Sequence, residues 1–172
     1  MFIVVEGVDK SGKTTLINKL MKKIPNIILL KIGYRPKDKS KPERQKIYQG
    51  YVLLQKKFLK HKEFNFLFDR FIISEMVYSI KRGYESLEEK KLWKLIERMK
   101  GQTVFIYCRL PMEQLSTIHY QQKDDYVDTD DLAMLQARYD IVFKKIPHIL
   151  YNYNDMRDEQ LFELLEKKLG VR

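Results

Sequence analysis

The segment Gly7-Val8-Asp9-Lys10-Ser11-Gly12-Lys13-Thr14 sets two glycines, a lysine and a threonine in the spacing Gly-x-x-x-x-Gly-Lys-Thr, followed by Thr15. Its flanks fit the pattern. Met1–Val5 is apolar, with β-branched Ile3, Val4 and Val5, and reads as a buried strand. Leu16, Ile17, Leu20 and Ile24 recur at helical spacing after it. A glycine-rich turn between a strand and a helix directs backbone N–H groups inward and places them at a helix N-terminus, which makes a cradle for phosphate. Lys13 is expected to reach the outer phosphates, and Thr14 to offer a hydroxyl to Mg²⁺.

The remaining chain reads as alternating strands and helices. Strands are expected at Asn26–Ile32, Phe64–Phe68, Thr103–Cys108 and Ile149–Tyr153. Helices are expected at Glu43–Lys62, about Phe71–Lys81, Leu87–Met99, Leu132–Ile146 and Glu159–Leu169, with a further helix opened by Pro111. Five strands alternating with helices predict an α/β fold of three layers, a parallel sheet covered on both faces. Ligands of such sheets sit outside the carboxyl ends of the strands. Four polar stretches fall there: the glycine-rich loop, Tyr34-Arg35-Pro36, Asp69-Arg70 and Cys108-Arg109.

The 172 residues suit one domain, with no low-complexity linker or internal repeat. No apolar run is long enough to span a membrane, and the loop strand at the N-terminus leaves no room for a signal peptide. The only cysteine, Cys108, rules out a disulfide framework within the chain. A cytoplasmic protein is expected. The net charge of +10 fits an anionic partner, yet many lysines lie in helical stretches and read as solvated surface. An Asn-Lys-x-Asp guanine motif is absent. Arginines at several strand ends point to a kinase for a small nucleoside or phosphorylated acceptor, because phosphoryl transfer needs positive charge around both phosphates.

Phe2–Thr15 resembles the opening of thymidylate kinases, including the aspartate at position 9. Phe68-Asp69-Arg70-Phe71, followed by Ser74 and Tyr78, is similar to their strand end and following helix. Ala137-Arg138-Tyr139 is similar to the helix after their lid. The resemblance implies a P-loop kinase fold and a homodimer. It also implies ATP-dependent phosphorylation of a deoxynucleoside monophosphate, dTMP to dTDP, with Mg²⁺. In that scheme Gly7, Asp9, Lys10, Ser11, Gly12, Lys13, Thr14, Thr15 and Arg109 hold ATP. Asp9 holds the sugar 3′-hydroxyl, and Arg35 and Arg70 grip the acceptor phosphate, with Tyr78 beside them. Asp69 orients Lys13 and, with Thr14, the metal.

Three departures qualify the resemblance. The helix between strands two and three carries Gln49 and Tyr51 where thymidylate kinases often place an arginine. This is closer to deoxynucleoside kinases, so Gln49 or Tyr51 is expected to line the base site. Those enzymes carry a glutamate after the second strand, whereas this chain has Arg35-Pro36, which suits a monophosphate. The lid, near 117–131, holds His119 and Lys123 but no arginine, and five aspartates run from Asp124 to Asp131 inclusive. Lys10 is therefore expected to supply the transition-state charge, with Arg109 and Arg138 as helpers. Trp93 reads as helix packing and His119 as a polar lid residue. Two alternatives stay open: a deoxynucleoside kinase acting on a 5′-hydroxyl, and a nucleotide-binding P-loop protein without this chemistry.

Overall fold

The computed structural model describes residues 2–31, 41–58, 64–79, 89–111, 113–114 and 129–169. The strands are β1 (Phe2–Glu6), β2 (Ile27–Lys31), β3 (Asn65–Asp69), β4 (Thr103–Cys108) and β5 (His148–Tyr151). The helices among the described residues are α1 (Lys13–Lys23), α2 (Lys41–Phe58), α3 (Ile72–Tyr78), α4 (Glu89–Met99), α5 (Thr129–Phe143) and α6 (Asp158–Leu169). All strand pairs are parallel, in the order β2-β3-β1-β4-β5. The expected three-layer α/β architecture is therefore present.

Period-two alternation sends successive strand residues to opposite faces. Phe2, Val4, Phe66, Phe68, Phe105 and Tyr107 pack on one side, against buried residues of α2 to α5. Ile3, Val5, Leu67, Val104, Ile106 and Cys108 pack on the other, against Leu16, Ile17 and Leu20 of α1 and Leu161 and Leu165 of α6. Leu92, Leu95, Ile96 and Met99 of α4 are all buried, as their spacing predicts. Cys108 is buried, and burial pushes its thiol up to about 12. Trp93 packs partly buried against the first core. Among the described residues no helix is long and apolar enough to cross a membrane.

Several boundaries differ from expectation for local reasons. α5 begins three residues early, so Thr129–Asp131 of the expected lid segment form its first turn. It also ends at Phe143, where Lys145 and Ile146 N–H groups donate to Val142 and Phe143 carbonyls in tighter turns. Pro147 follows and disfavours a helical Ile146. β5 stops at Tyr151 because Asn152 opens a turn: its side-chain oxygen accepts the Asn154 N–H at 3.1 Å and its carbonyl the Asp155 N–H at 3.1 Å. Tyr153 thus leaves the sheet. Arg35, His119 and Lys123 lie outside the described residues, as does most of the helix expected from Pro111.

β1 is the middle strand, with β3 on one side and β4 on the other. The glycine-rich loop at its carboxyl end therefore has two different flanks. The β3 flank presents Asp69 and Arg70, and the β4 flank presents Arg109.

Candidate active site

The loop fits closely against β4. Gly7 has φ +145°, and a Cβ there would lie 2.2 Å from the Cys108 carbonyl oxygen and 2.8 Å from Ser11 Oγ. Gly7→Ala should therefore lower stability by roughly 2–4 kcal/mol, from backbone strain and overpacking together, read as a shifted denaturation midpoint. Gly12, at φ +81°, lies under the Tyr153 ring; a Cβ there would be 2.9 Å from it. Lys10 has a left-handed backbone, φ 64°.

Lys13 opens α1 and is almost fully buried. Its ammonium donates to the Val8 carbonyl and lies 3.5 Å from Ser11 Oγ. Burial pushes its pKa down to about 8, with Arg70 adding repulsion and Asp9 and Asp69 opposing it. Beside it is a cavity of about 380 Å³. Asp9, Lys10, Gly12, Lys13, Thr14 and Thr15 line it from the loop side, and Asp69 and Arg70 from β3.

The β3 wall is a polar cluster. Asp69 stands opposite Val5 in the ladder, and the next residue, Arg70, donates its N–H to the Val5 carbonyl at 3.0 Å. Arg70 is left-handed, φ 65°, which costs a residue with a Cβ about 1–2 kcal/mol. Its guanidinium pairs with Asp9 Oδ1 and sits 4.8 Å above the Tyr78 ring. The Tyr78 hydroxyl donates to Asp9 Oδ2 at 3.2 Å. Both Asp9 oxygens are thus engaged by residues expected to bind the acceptor. Burial pushes the Tyr78 hydroxyl up to about 12, so it remains a donor.

Thr14 and Asp69 fit a magnesium ion. They bring a hydroxyl and a carboxylate, both hard oxygen donors, to one cavity beside the glycine-rich loop. Among the described residues no cluster of three His, Cys, Asp or Glu could hold a metal by itself. Mg²⁺ needs few protein ligands, because it keeps water and phosphate oxygens as the others.

The β4 flank is built differently. Arg109 donates from Nε to Asp140 Oδ1 at 2.9 Å and from Nη2 to Oδ2 at 3.1 Å, and the Tyr107 hydroxyl donates to the same carboxylate at 2.8 Å. One turn earlier on α5, the buried Gln136 amide bonds both the N–H and the carbonyl of Leu110. Arg109 is consequently held against α5 and does not line the cavity. Tyr153 donates its hydroxyl to Gln114 at 2.7 Å. Arg138 is half-buried, and among the described residues its Nε finds no hydrogen-bond partner.

On α2, Gln49 is exposed, while Tyr51 is buried edge-on against Phe71 with ring centroids 5.0 Å apart. Gln55 of this helix is buried, and its amide donates to the Leu95 carbonyl at 3.3 Å. Neither Gln49 nor Tyr51 lines the loop cavity.

Sequence reasoning assigned no role to Glu6 or Tyr153. Glu6 is fully buried at the end of β1. It accepts bonds from the Phe71 and Ser74 backbones and from the Ser74 and Tyr139 hydroxyls. The available signal was a carboxylate ending an otherwise apolar strand.

No family model and no curated protein matches the sequence. Solved structures do. The YorR protein of Bacillus subtilis, in complex with phosphorylated GDP, superposes with a TM-score of 0.75 at 17% identity, over 99% of this chain and 96% of that one. Thymidylate kinase from Candida albicans gives 0.53 at 18% identity, over 96% and 91%. Deoxyadenosine kinase from M. mycoides, with bound dATP, gives 0.52 at 15% identity, over 99% and 100%. The fold is that of the P-loop kinases. At these identities the likeness to P-loop kinases is one of architecture, and the chemistry rests on the site.

Proposed function

We propose that the protein is a nucleoside monophosphate kinase that transfers the γ-phosphoryl group of ATP to dTMP, giving dTDP. The observation that carries this reading is one cavity with two chemically distinct walls. Lys13, Thr14 and the loop face it from the donor side, and Asp69 and Arg70 from the β3 side with Asp9 between them. A guanidinium there suits an acceptor phosphate, which it can bind through two parallel donors.

The donor triphosphate lies along the loop N–H groups, and Lys13 meets its outer phosphates. Their charge stabilises the protonated lysine, whose pKa burial has lowered. Thr14 and Asp69 would hold a Mg²⁺ ion there, which would supply positive charge against the transferring phosphates. Arg70 exchanges part of its pairing with Asp9 for the acceptor phosphate, which frees an Asp9 oxygen for the sugar hydroxyl. Tyr78 keeps the other oxygen in place. Lys10 meets the charge that spreads over the equatorial oxygens as the bond to the leaving oxygen loosens.

The test is ADP release, followed with ATP, Mg²⁺ and each deoxynucleoside monophosphate and deoxynucleoside in turn. dTMP should turn over best, and Arg70→Ala should raise its KM about 10²-fold, equivalent to about 2.7 kcal/mol. Turnover of deoxynucleosides with none of the monophosphates would overturn the reading in favour of a nucleoside kinase.

A further inference from the structure

Arg70 is the residue whose aim the proposed reaction depends on, and its backbone is unfavourable. A left-handed residue bearing a Cβ persists only where its surroundings over-determine it. β1 supplies that constraint from two consecutive residues. The Val5 carbonyl accepts the Arg70 N–H at 3.0 Å. Glu6 Oε1 accepts the next N–H, that of Phe71, at 2.8 Å, and the Ser74 N–H at 3.3 Å. The strained residue is bracketed by the strand that runs directly into the glycine-rich loop.

The other Glu6 oxygen accepts the Ser74 and Tyr139 hydroxyls, the latter at 3.2 Å, and these two hydroxyls are 2.7 Å apart. Four donors from α3, its N-terminal edge and α5 thus converge on one carboxylate that has no exposure to solvent. Such a group is costly to bury unless each oxygen is satisfied. Glu6 is fully buried and does not line the cavity. Its bonds all end on the segment that turns the chain from Arg70 into α3, or on the helix packed behind it.

We propose that Glu6 is a positioning residue for the acceptor phosphate. It acts through Arg70, fixing the left-handed turn that aims the guanidinium at Asp9 and into the cavity. The proposal rests on the reading of Arg70 as the acceptor-phosphate ligand. The carboxylate matters because its two oxygens serve donors on opposite sides. An amide keeps one acceptor for the Phe71 and Ser74 backbones and turns an NH₂ toward the hydroxyls, which weakens the bracket without opening a hole.

The experiment is a double-mutant cycle of Glu6→Gln with Arg70→Gly, a glycine that holds φ 65° without strain. In the wild-type background Glu6→Gln should raise the dTMP KM and Kd about tenfold and change the ATP KM less than twofold. In the Arg70→Gly background it should leave the dTMP Kd unchanged by titration calorimetry. The urea midpoint lost on Glu6→Gln should also shrink in that background. Equal effects on both substrates, or equal midpoint losses in both backgrounds, would overturn the proposal. If the wild type phosphorylates no monophosphate but the midpoint coupling is found, the acceptor reading falls while the pinning of Arg70 by Glu6 stands.

Discussion

Lys13→Met should abolish phosphoryl transfer, by about 10³-fold or more in kcat, while leaving the protein at least as stable as the wild type. Loss of a cation aimed at the transferring phosphate is worth several kcal/mol in a site that excludes water. The stability half follows from the surroundings of the lysine. Its ammonium is almost fully buried among loop groups, with the Val8 carbonyl as its main acceptor, and Arg70 repels it. A thioether of similar length removes that buried charge. An ADP-release assay and a thermal melt on the same sample check both halves, and a large drop in Tm would show that Lys13 is structural. A pH profile tests the same group. Lys13 carries its charge below about pH 8 and loses it as pH rises through that value. In kcat/KM for ATP, which reports the free enzyme, activity should fall above about pH 8. In kcat the fall should come at higher pH, because bound phosphates favour the protonated lysine.

Lys10→Met should lower kcat about 10²- to 10³-fold and leave ATP binding within about twofold, the pattern of an interaction made only in the transition state. Lys10 lines the cavity with Lys13 and Arg70, and its backbone is left-handed, φ 64°. A glycine would take that φ more easily, so a lysine there is kept at a conformational cost. Arg109, expected as a helper, is held against α5 by its bidentate bond to Asp140. Single-turnover kinetics with ATP and dTMP, beside equilibrium binding of a non-hydrolysable ATP analogue, separates the two. Wild-type kcat in Lys10→Met, with a crippled Arg109→Met, would give the role to Arg109.

The local pattern of the chain was enough to place the glycine-rich loop, the five strands and the inward faces of α1 and α4. Each follows from contiguous residues: glycines where the backbone turns back on β4, alternation of two along strands, spacing of three and four along helices. Thr103–Cys108 was placed to the residue because both its faces are buried and apolar. Partnership among polar groups was not legible in this way. Asp9 meets Arg70 and Tyr78 only because β3 lies beside β1, and Glu6 meets Ser74 and Tyr139 because α3 and α5 cover the same face. Arg109 has the composition of a phosphate ligand, and Asp140, 31 residues away, takes both edges of its guanidinium. Gln49 and Gln55 are both amides on α2, but the exposed one lies outward and the buried one bonds to α4. Sequence spacing fixes which residues share an element's face. Strand order and register decide which faces meet, and they are set by the summed burial of the whole core.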